Sequence, residues 1–278
     1  MLRKIKSFIR RRVQIDVGPT DIVLDVGSGD KPHWRADVLL ERYLPEELSQ
    51  HRSKGSSAVI DRWMVAGDLE DMPFRDKAFD YVVCSHVLEH VTHPGQAISE
   101  LQRVAERGYI EVPFEGAQKL FDFPAHLWHI HSEDDKLTFT AKQSVAFDPY
   151  INHLMNAMIR AGIWQNFLNN YFDECIVMKY WKDQIPYEVQ GELTEKFKQE
   201  VMMLSEQGLD WKRTSVLKRR GLALFSLLVR LAYRDKASRV KVDIASLLRC
   251  RKCGCVEFTS TDKGYGCCSC GELIVVLS

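Results

Sequence analysis

Two groups of residues in this 278-residue chain have the types and spacing to do chemistry. Near the C-terminus, six of the eight cysteines fall between Cys250 and Cys270, arranged as the knuckles Cys250-x-x-Cys253 and Cys267-x-x-Cys270. Two such knuckles separated by a short strand-like hairpin supply four thiolates to one tetrahedral zinc ion, and binding energy then becomes folding energy. Cys250, Cys253, Cys267 and Cys270 are the expected ligands, and Cys255 and Cys268 stand near enough in sequence to replace a neighbour. Four thiolates leave no open position, so the expected role of this zinc is structural.

The second group begins with Val23-Leu24-Asp25-Val26-Gly27-Ser28-Gly29-Asp30, a short apolar strand broken at once by glycines. Glycine admits positive φ and lets backbone amides approach a ligand closely. A dinucleotide fingerprint wants a third glycine opening a helix, whereas Lys31 and Pro32 follow here, which disfavours a pyrophosphate site. Glu41 closes the next apolar run, where a carboxylate suits the two hydroxyls of a ribose. Asp68, in Gly67-Asp68-Leu69-Glu70, suits an adenine amino group, with an ordinary turn or N-cap aspartate as the alternative. His86-Val87-Leu88-Glu89-His90 also fits H-x-x-E-H, a zinc-hydrolase pattern, but that chemistry needs a further ligand the sequence does not single out. Pro124 to His131 brings three imidazoles and the Trp128 indole together. His126 or His129 is the candidate general base or acceptor-orienting group, with Trp128 as an apolar or sugar-stacking wall and hydrogen-bonded surface histidines as the alternative.

These residues need strands to carry them. Asp21–Val26, Asp37–Glu41, Asp80–Ser85 and Gly108–Val112 read as strands, and Pro94–Arg107 has helical apolar spacing at Ala97, Ile98, Leu101, Val104 and Ala105. Strands alternating with helices imply a doubly wound, mostly parallel α/β sheet, with ligands beyond the carboxyl ends of the strands. Ile151–Ile163 reads as a helix and Cys175–Trp181 as a late strand, while Phe114–Trp128 fits no single pattern.

From Asp21 to about Pro113 the sequence resembles the class I methyltransferases that use S-adenosylmethionine, on four motifs in order. The resemblance implies that Asp25, Gly27, Ser28 and Gly29 cradle the amino-acid end of the cofactor. It places Glu41 on the ribose, Asp68 with Leu69 on the adenine, and Ser85 with His86 on the methyl-donor side. The tail resembles the small zinc-ribbon protein that activates tRNA and release-factor methyltransferases, here fused. The expected organisation is a methyltransferase domain over 1–185, a helical arm over 186–245 broken at Gly208 and Gly221, and a zinc ribbon over 246–278.

Thirty-eight basic side chains balance thirty-eight acidic ones, so net charge selects no partner and nucleic acid is not favoured. The apolar run Leu222–Ala232 is shorter than the roughly 20 residues of a membrane crossing, and Met1–Arg12 lacks the apolar core of a secretory signal. The expectation is a cytoplasmic enzyme acting on a small molecule, a sugar or a lipid-linked glycan. Basic residues at Lys218–Arg234 flank the apolar run, which reads first as a helix packed on the main domain and second, with the basic segment Arg3–Arg12, as a peripheral membrane contact. Methylation of RNA or protein through the zinc ribbon, and a nucleoside-binding module without activity, are the alternatives.

Overall fold

The computed structural model describes residues 2–44, 58–120, 123, 125–145, 149–205, 224, 227–228, 231–233 and 237–278. Pro124, Gly208, Gly221 and much of the run 222–232 lie outside them. Among the described residues no helix is long and apolar enough to cross a membrane.

The centre is a parallel sheet of β1 (Val23–Val26), β2 (Val38–Glu41), β3 (Trp63–Ala66), β4 (Tyr81–Ser85) and β5 (Arg107–Pro113) in the order β3-β2-β1-β4-β5. The order reverses at β1, so the crevice beyond the carboxyl ends of β1 and β4 is where ligands of such sheets bind. β8 (Ile176–Lys182) adds antiparallel to β5, covering that edge. Four of these strands are buried on both faces and are mostly apolar, as fully covered parallel strands are, with the carboxylates Asp25, Glu41 and Glu111 as the exceptions.

Strand alternation sends Val23, Leu39, Met64, Tyr81, Val83 and Tyr109 to one face, where they pack with Ile15 and Val17 of the chain after helix α1 (Leu2–Arg12). The opposite face carries Leu24, Val26, Leu40, Val82, Cys84 and Ile110, covered by α2 (Pro94–Val104). Pro94 at the start of α2 supplies a pre-set φ where no amide partner is needed. Its buried Ala97, Ile98, Leu101 and Val104 form the apolar stripe anticipated from spacing.

Two connections had no assignment from the sequence. The β1–β2 link, residues 27–37, contains no helix. Pro32 interrupts it, and the fully buried Arg35 anchors it by donating to Asp37 (2.8 Å) and to the Gly18 and Asp21 carbonyls (2.8 and 2.6 Å). The region after β5 forms α3 (Glu115–Leu120) and a hairpin of β6 (Trp128–Glu133) and β7 (Lys136–Ala141), against which β9 (Tyr187–Gln190) lies parallel. Then come α4 (Pro149–Arg160), α5 (Ile163–Asn170) and α6 (Phe172–Cys175) ahead of β8. Residues 187–205, expected as part of an arm, instead pack on the body: α7 (Glu195–Ser205) buries Phe197 and Val201 in the main core.

The tail joins the same sheet. After α8 (Ile244–Leu247) come β10 (Phe258–Thr261), β11 (Gly264–Cys267) and β12 (Leu273–Leu277). β12 pairs antiparallel with β3 through Val276–Val65 and Leu277–Met64, extending the sheet to nine strands among the described residues. The cysteine hairpin is thus continuous with the central sheet and covers its β3 edge.

Candidate functional site

Because side chains alternate along a strand, Asp25, Glu41, Ser85 and Glu111 all project to the face bearing Val23, Leu39, Val83 and Tyr109, near the carboxyl ends of four neighbouring strands. Three buried carboxylates on one rim is a costly arrangement that each must offset with hydrogen bonds. Asp25 accepts from the His33 amide at 2.7 Å, closing the β1–β2 link over it. Glu41 accepts from the Ser28 hydroxyl at 3.1 Å and from the Gly29 amide, holding the glycine turn against β2. That turn needs its glycines: φ is +63° at Gly27 and +55° at Gly29. A Cβ on Gly27 would sit 2.6 Å from Val87, while one on Gly29 would meet nothing within 4 Å, so the Gly29 side of the turn is open space.

Asp68 lies just beyond β3, with one oxygen accepting from the Glu70 amide at 3.0 Å and the other 3.3 Å from Arg42. It is therefore a turn aspartate and also a residue of the strand-tip rim. Leu69 is a core side chain, so what it offers at the rim is backbone. The loop carrying both is braced from α2, where Glu100 accepts the Met72 amide at 2.7 Å and Arg103 donates to the Phe74 carbonyl at 2.7 Å.

Glu111 is the residue that sequence reasoning passed over. It reads there as part of an apolar strand, although a lone carboxylate in Tyr-Ile-Glu-Val was the available signal. It accepts from Tyr109 (2.7 Å), Ser85 (3.3 Å) and two nitrogens of Arg11, one at 2.9 Å, and contacts His86 Nε2 at 3.0 Å. Burial alone would raise its pKa, but the bonds from His86 and Arg11 outweigh that and hold it well below the usual carboxylate range. His86 takes the left-handed region, φ +57°, with Nδ1 3.2 Å from Glu89. Loss of hydration opposes its charge, yet the bonds to Glu111 and Glu89 lift its pKa to about 9. Cys84, below it in the sheet, is fully buried and its thiol is pushed up by that burial, which makes it a packing group rather than a nucleophile.

The histidine segment divides by strand alternation. Trp128 and Ile130 face the core, and the Trp128 indole donates to the Val91 carbonyl at 2.8 Å, so this ring is a core group and not an open stacking wall. His129 lies on the other side of β6, 3.0 Å from Gln118 Oε1. His126 is buried, stacked on Phe123 with ring centroids 5.0 Å apart and 3.3 Å from Gln118 Nε2. Gln118 of α3 thus links the two imidazoles. The structure brings His126 beside His90, with centroids 4.9 Å apart, which joins the histidine segment to the end of H-x-x-E-H.

In the tail, the sulfurs of Cys250 and Cys270 are 3.5 Å apart, as are those of Cys253 and Cys267, and all four lie within 4.8 Å of one another. Tetrahedral zinc at about 2.3 Å from each sulfur requires edges of roughly 3.8 Å, so this donor set fits the ion. Cys255 and Cys268 lie outside the cluster, bonded instead to the Glu257 amide (3.4 Å) and the Thr259 hydroxyl (3.5 Å).

Comparison with known proteins agrees with the central sheet. Residues 24–110 match the family described as "Methyltransferase domain". The ubiquinone/menaquinone biosynthesis C-methyltransferase UbiE of Ruegeria sp. (strain TM1040) is 35% identical over 37% of this chain, and the match spans only 48% of that protein. Among solved structures, a chain from the complex between the Haloferax volcanii Trm112 methyltransferase activator and a methyltransferase is 13% identical, covering 64% of this chain and 93% of its own, with a TM-score of 0.38. The YcgJ protein of Bacillus subtilis is 18% identical, covering 58% and 68%, with a TM-score of 0.31. With five parallel strands in the order described and the family match running from β1 into β5, residues 24–110 form a Rossmann-like fold that matches the methyltransferase domain family.

Proposed function

We propose that this protein methylates a small-molecule acceptor, with a sugar or lipid-linked glycan within the same class. The observation that carries the reading is the Gly27–Gly29 turn, open on its Gly29 side, with Asp25, Glu41 and Asp68 gathered at the tips of adjacent strands. S-adenosylmethionine, when bound, supplies a methyl group on a positively charged sulfur that an acceptor nucleophile attacks in line. The chain's own work is then positioning. Asp25 and the turn amides hold the amino-acid end, Glu41 the ribose, Asp68 with the Leu69 backbone the adenine, and Ser85 with His86 border the methyl side.

For a hydroxyl acceptor, His126 or His129, linked through Gln118, would take the proton or orient the acceptor while the new oxygen–carbon bond forms and the methyl carbon's bond to sulfur breaks. The small-molecule class is supported by the kind of acceptor implied in the name of the Ruegeria relative. The four-thiolate cluster holds structural zinc, and its hairpin stabilises the β3 edge.

The test is transfer of isotopically labelled methyl from S-adenosylmethionine into a fractionated cell extract. Label in the small-molecule or lipid fraction is the expected result. Label confined to RNA or protein would replace the acceptor class, and no transfer to any fraction, despite cofactor binding, would favour a module without activity.

A further inference from the structure

A second cluster of metal-ligating side chains lies away from the cysteines. Glu89, His90 and His126 each offer a donor atom within 4.8 Å of the others. Glu89 follows the β4 tip and is completely buried; its Oε1 is 3.2 Å from His86, and its Oε2 has no hydrogen-bond partner among the described residues. A buried carboxylate oxygen without a partner is expensive, and an ion is one of the few things that accounts for it.

The two imidazoles are set as ligating histidines are set. His90 Nδ1 lies 2.9 Å from the Ala125 carbonyl, so that nitrogen carries the proton and coordination runs through Nε2. His126 Nδ1 lies against the Gln118 amide, whose two ends are interchangeable in shape. With its oxygen toward His126 and its nitrogen toward His129, Gln118 accepts from His126 Nδ1–H and again directs Nε2 to the ion. Phe123 stacked on His126 fixes the ring plane.

We propose that Glu89, His90 and His126 bind a zinc-class dication through one carboxylate oxygen and two imidazole nitrogens, forming a second metal site distinct from the four cysteines. Two imidazoles and one carboxylate suit zinc and its transition-metal neighbours rather than magnesium, which demands mostly oxygen ligands in octahedral array. Three protein ligands leave a position for an oxygen donor, a water or an acceptor hydroxyl, unlike the closed four-thiolate set. His86 is not a ligand in this arrangement: it spans Glu89 and Glu111 and holds Glu89 by its other oxygen. The site stands on these side chains alone, whether or not the strand tips take S-adenosylmethionine.

The experiment uses the full chain, stripped of metal and titrated with zinc alone, with bound metal measured after desalting. The expected result is two equivalents for the wild type, one for Glu89→Gln and for His126→Ala, and two for His93→Ala, whose exposed ring lies outside the cluster. Gln118→Ala is expected to weaken the second equivalent by about 10–100-fold. Cobalt gives a readout independent of any variant's folding. The cysteine site produces thiolate-to-metal charge-transfer absorption, and the second equivalent adds only ligand-field bands. A single equivalent in the wild type, carrying the whole thiolate signature, would overturn the proposal. Displacement of the second equivalent by equimolar magnesium would overturn its assignment to a zinc-class ion.

Discussion

At the scale of single residues, the glycine turn separates two effects that share one backbone requirement. Gly27 and Gly29 both have positive φ, which costs an alanine about 1–2 kcal/mol, but only Gly27 also faces a side chain at clash distance. Gly27→Ala is therefore expected to lower the melting temperature clearly more than Gly29→Ala, with Val87 displaced. Equal losses in thermal denaturation would show that packing at Val87 is not what distinguishes them. The turn and the rim acids Asp25, Glu41 and Asp68 were legible in sequence because glycine and carboxylate at strand ends have few structural uses. Glu111 was not, because a charged residue inside an apolar strand announces itself only when the residues that neutralise it, Arg11 and His86, are seen to converge from distant parts of the chain.

At the scale of elements, the basic N-terminal helix is a docked part of the fold, held by Arg11 on Glu111, by Arg10 on Asp173 at 2.6 Å and by the Arg11 guanidinium 4.0 Å over the Phe172 ring. Arg11→Ala is expected to cost about 1.5–3 kcal/mol in chemical denaturation, the range for hydrogen bonds to a charged group; a loss near zero would mean that α1 is not anchored there. Glu111 also sets a pH dependence. Its folded pKa lies below its unfolded value, so its contribution is present above the ordinary carboxylate range and is lost as pH falls through the lowered folded value. Between about pH 5 and pH 3, the wild type should lose more stability than Glu111→Gln, as followed by melting temperature; parallel curves would contradict the clasp. The strands β1, β2, β4 and β5 and helix α2 were readable from apolar runs and periodicity. β3, with four residues and no flanking signal, was not, nor was β9, whose side chains are mostly exposed and which is held as strand by its pairing with β7. The hairpin β6–β7 was obscured because alternation puts Trp128 and Ile130 inward between histidines, which reads locally as mixed polarity.

At the scale of the whole molecule, the cysteine hairpin and the parallel sheet are one structure, since β12 covers the edge that β3 would otherwise expose. Sequence spacing identified the four thiolates but could not show this pairing, which depends on a strand some two hundred residues earlier meeting the last residues of the chain. Removing zinc with a chelator, or replacing Cys253 with serine, is expected to loosen β3 as well as the tail. A loss of about 2 kcal/mol would lower the melting temperature by roughly 4–8 °C in a body of this size. Hydrogen exchange should then quicken at Met64 and Val65; exchange confined to residues after 250 would show two independent units. The proposed activity requires the rim at the β1 and β4 ends to be a nucleoside-sulfonium site. Isothermal titration of the zinc-loaded chain with S-adenosylmethionine tests this most directly. Saturable one-to-one binding, competed by its demethylated product, insensitive to a nicotinamide dinucleotide and abolished by Asp25→Ala with folding retained, is the predicted result. No heat and no competition from a correctly folded chain would contradict it.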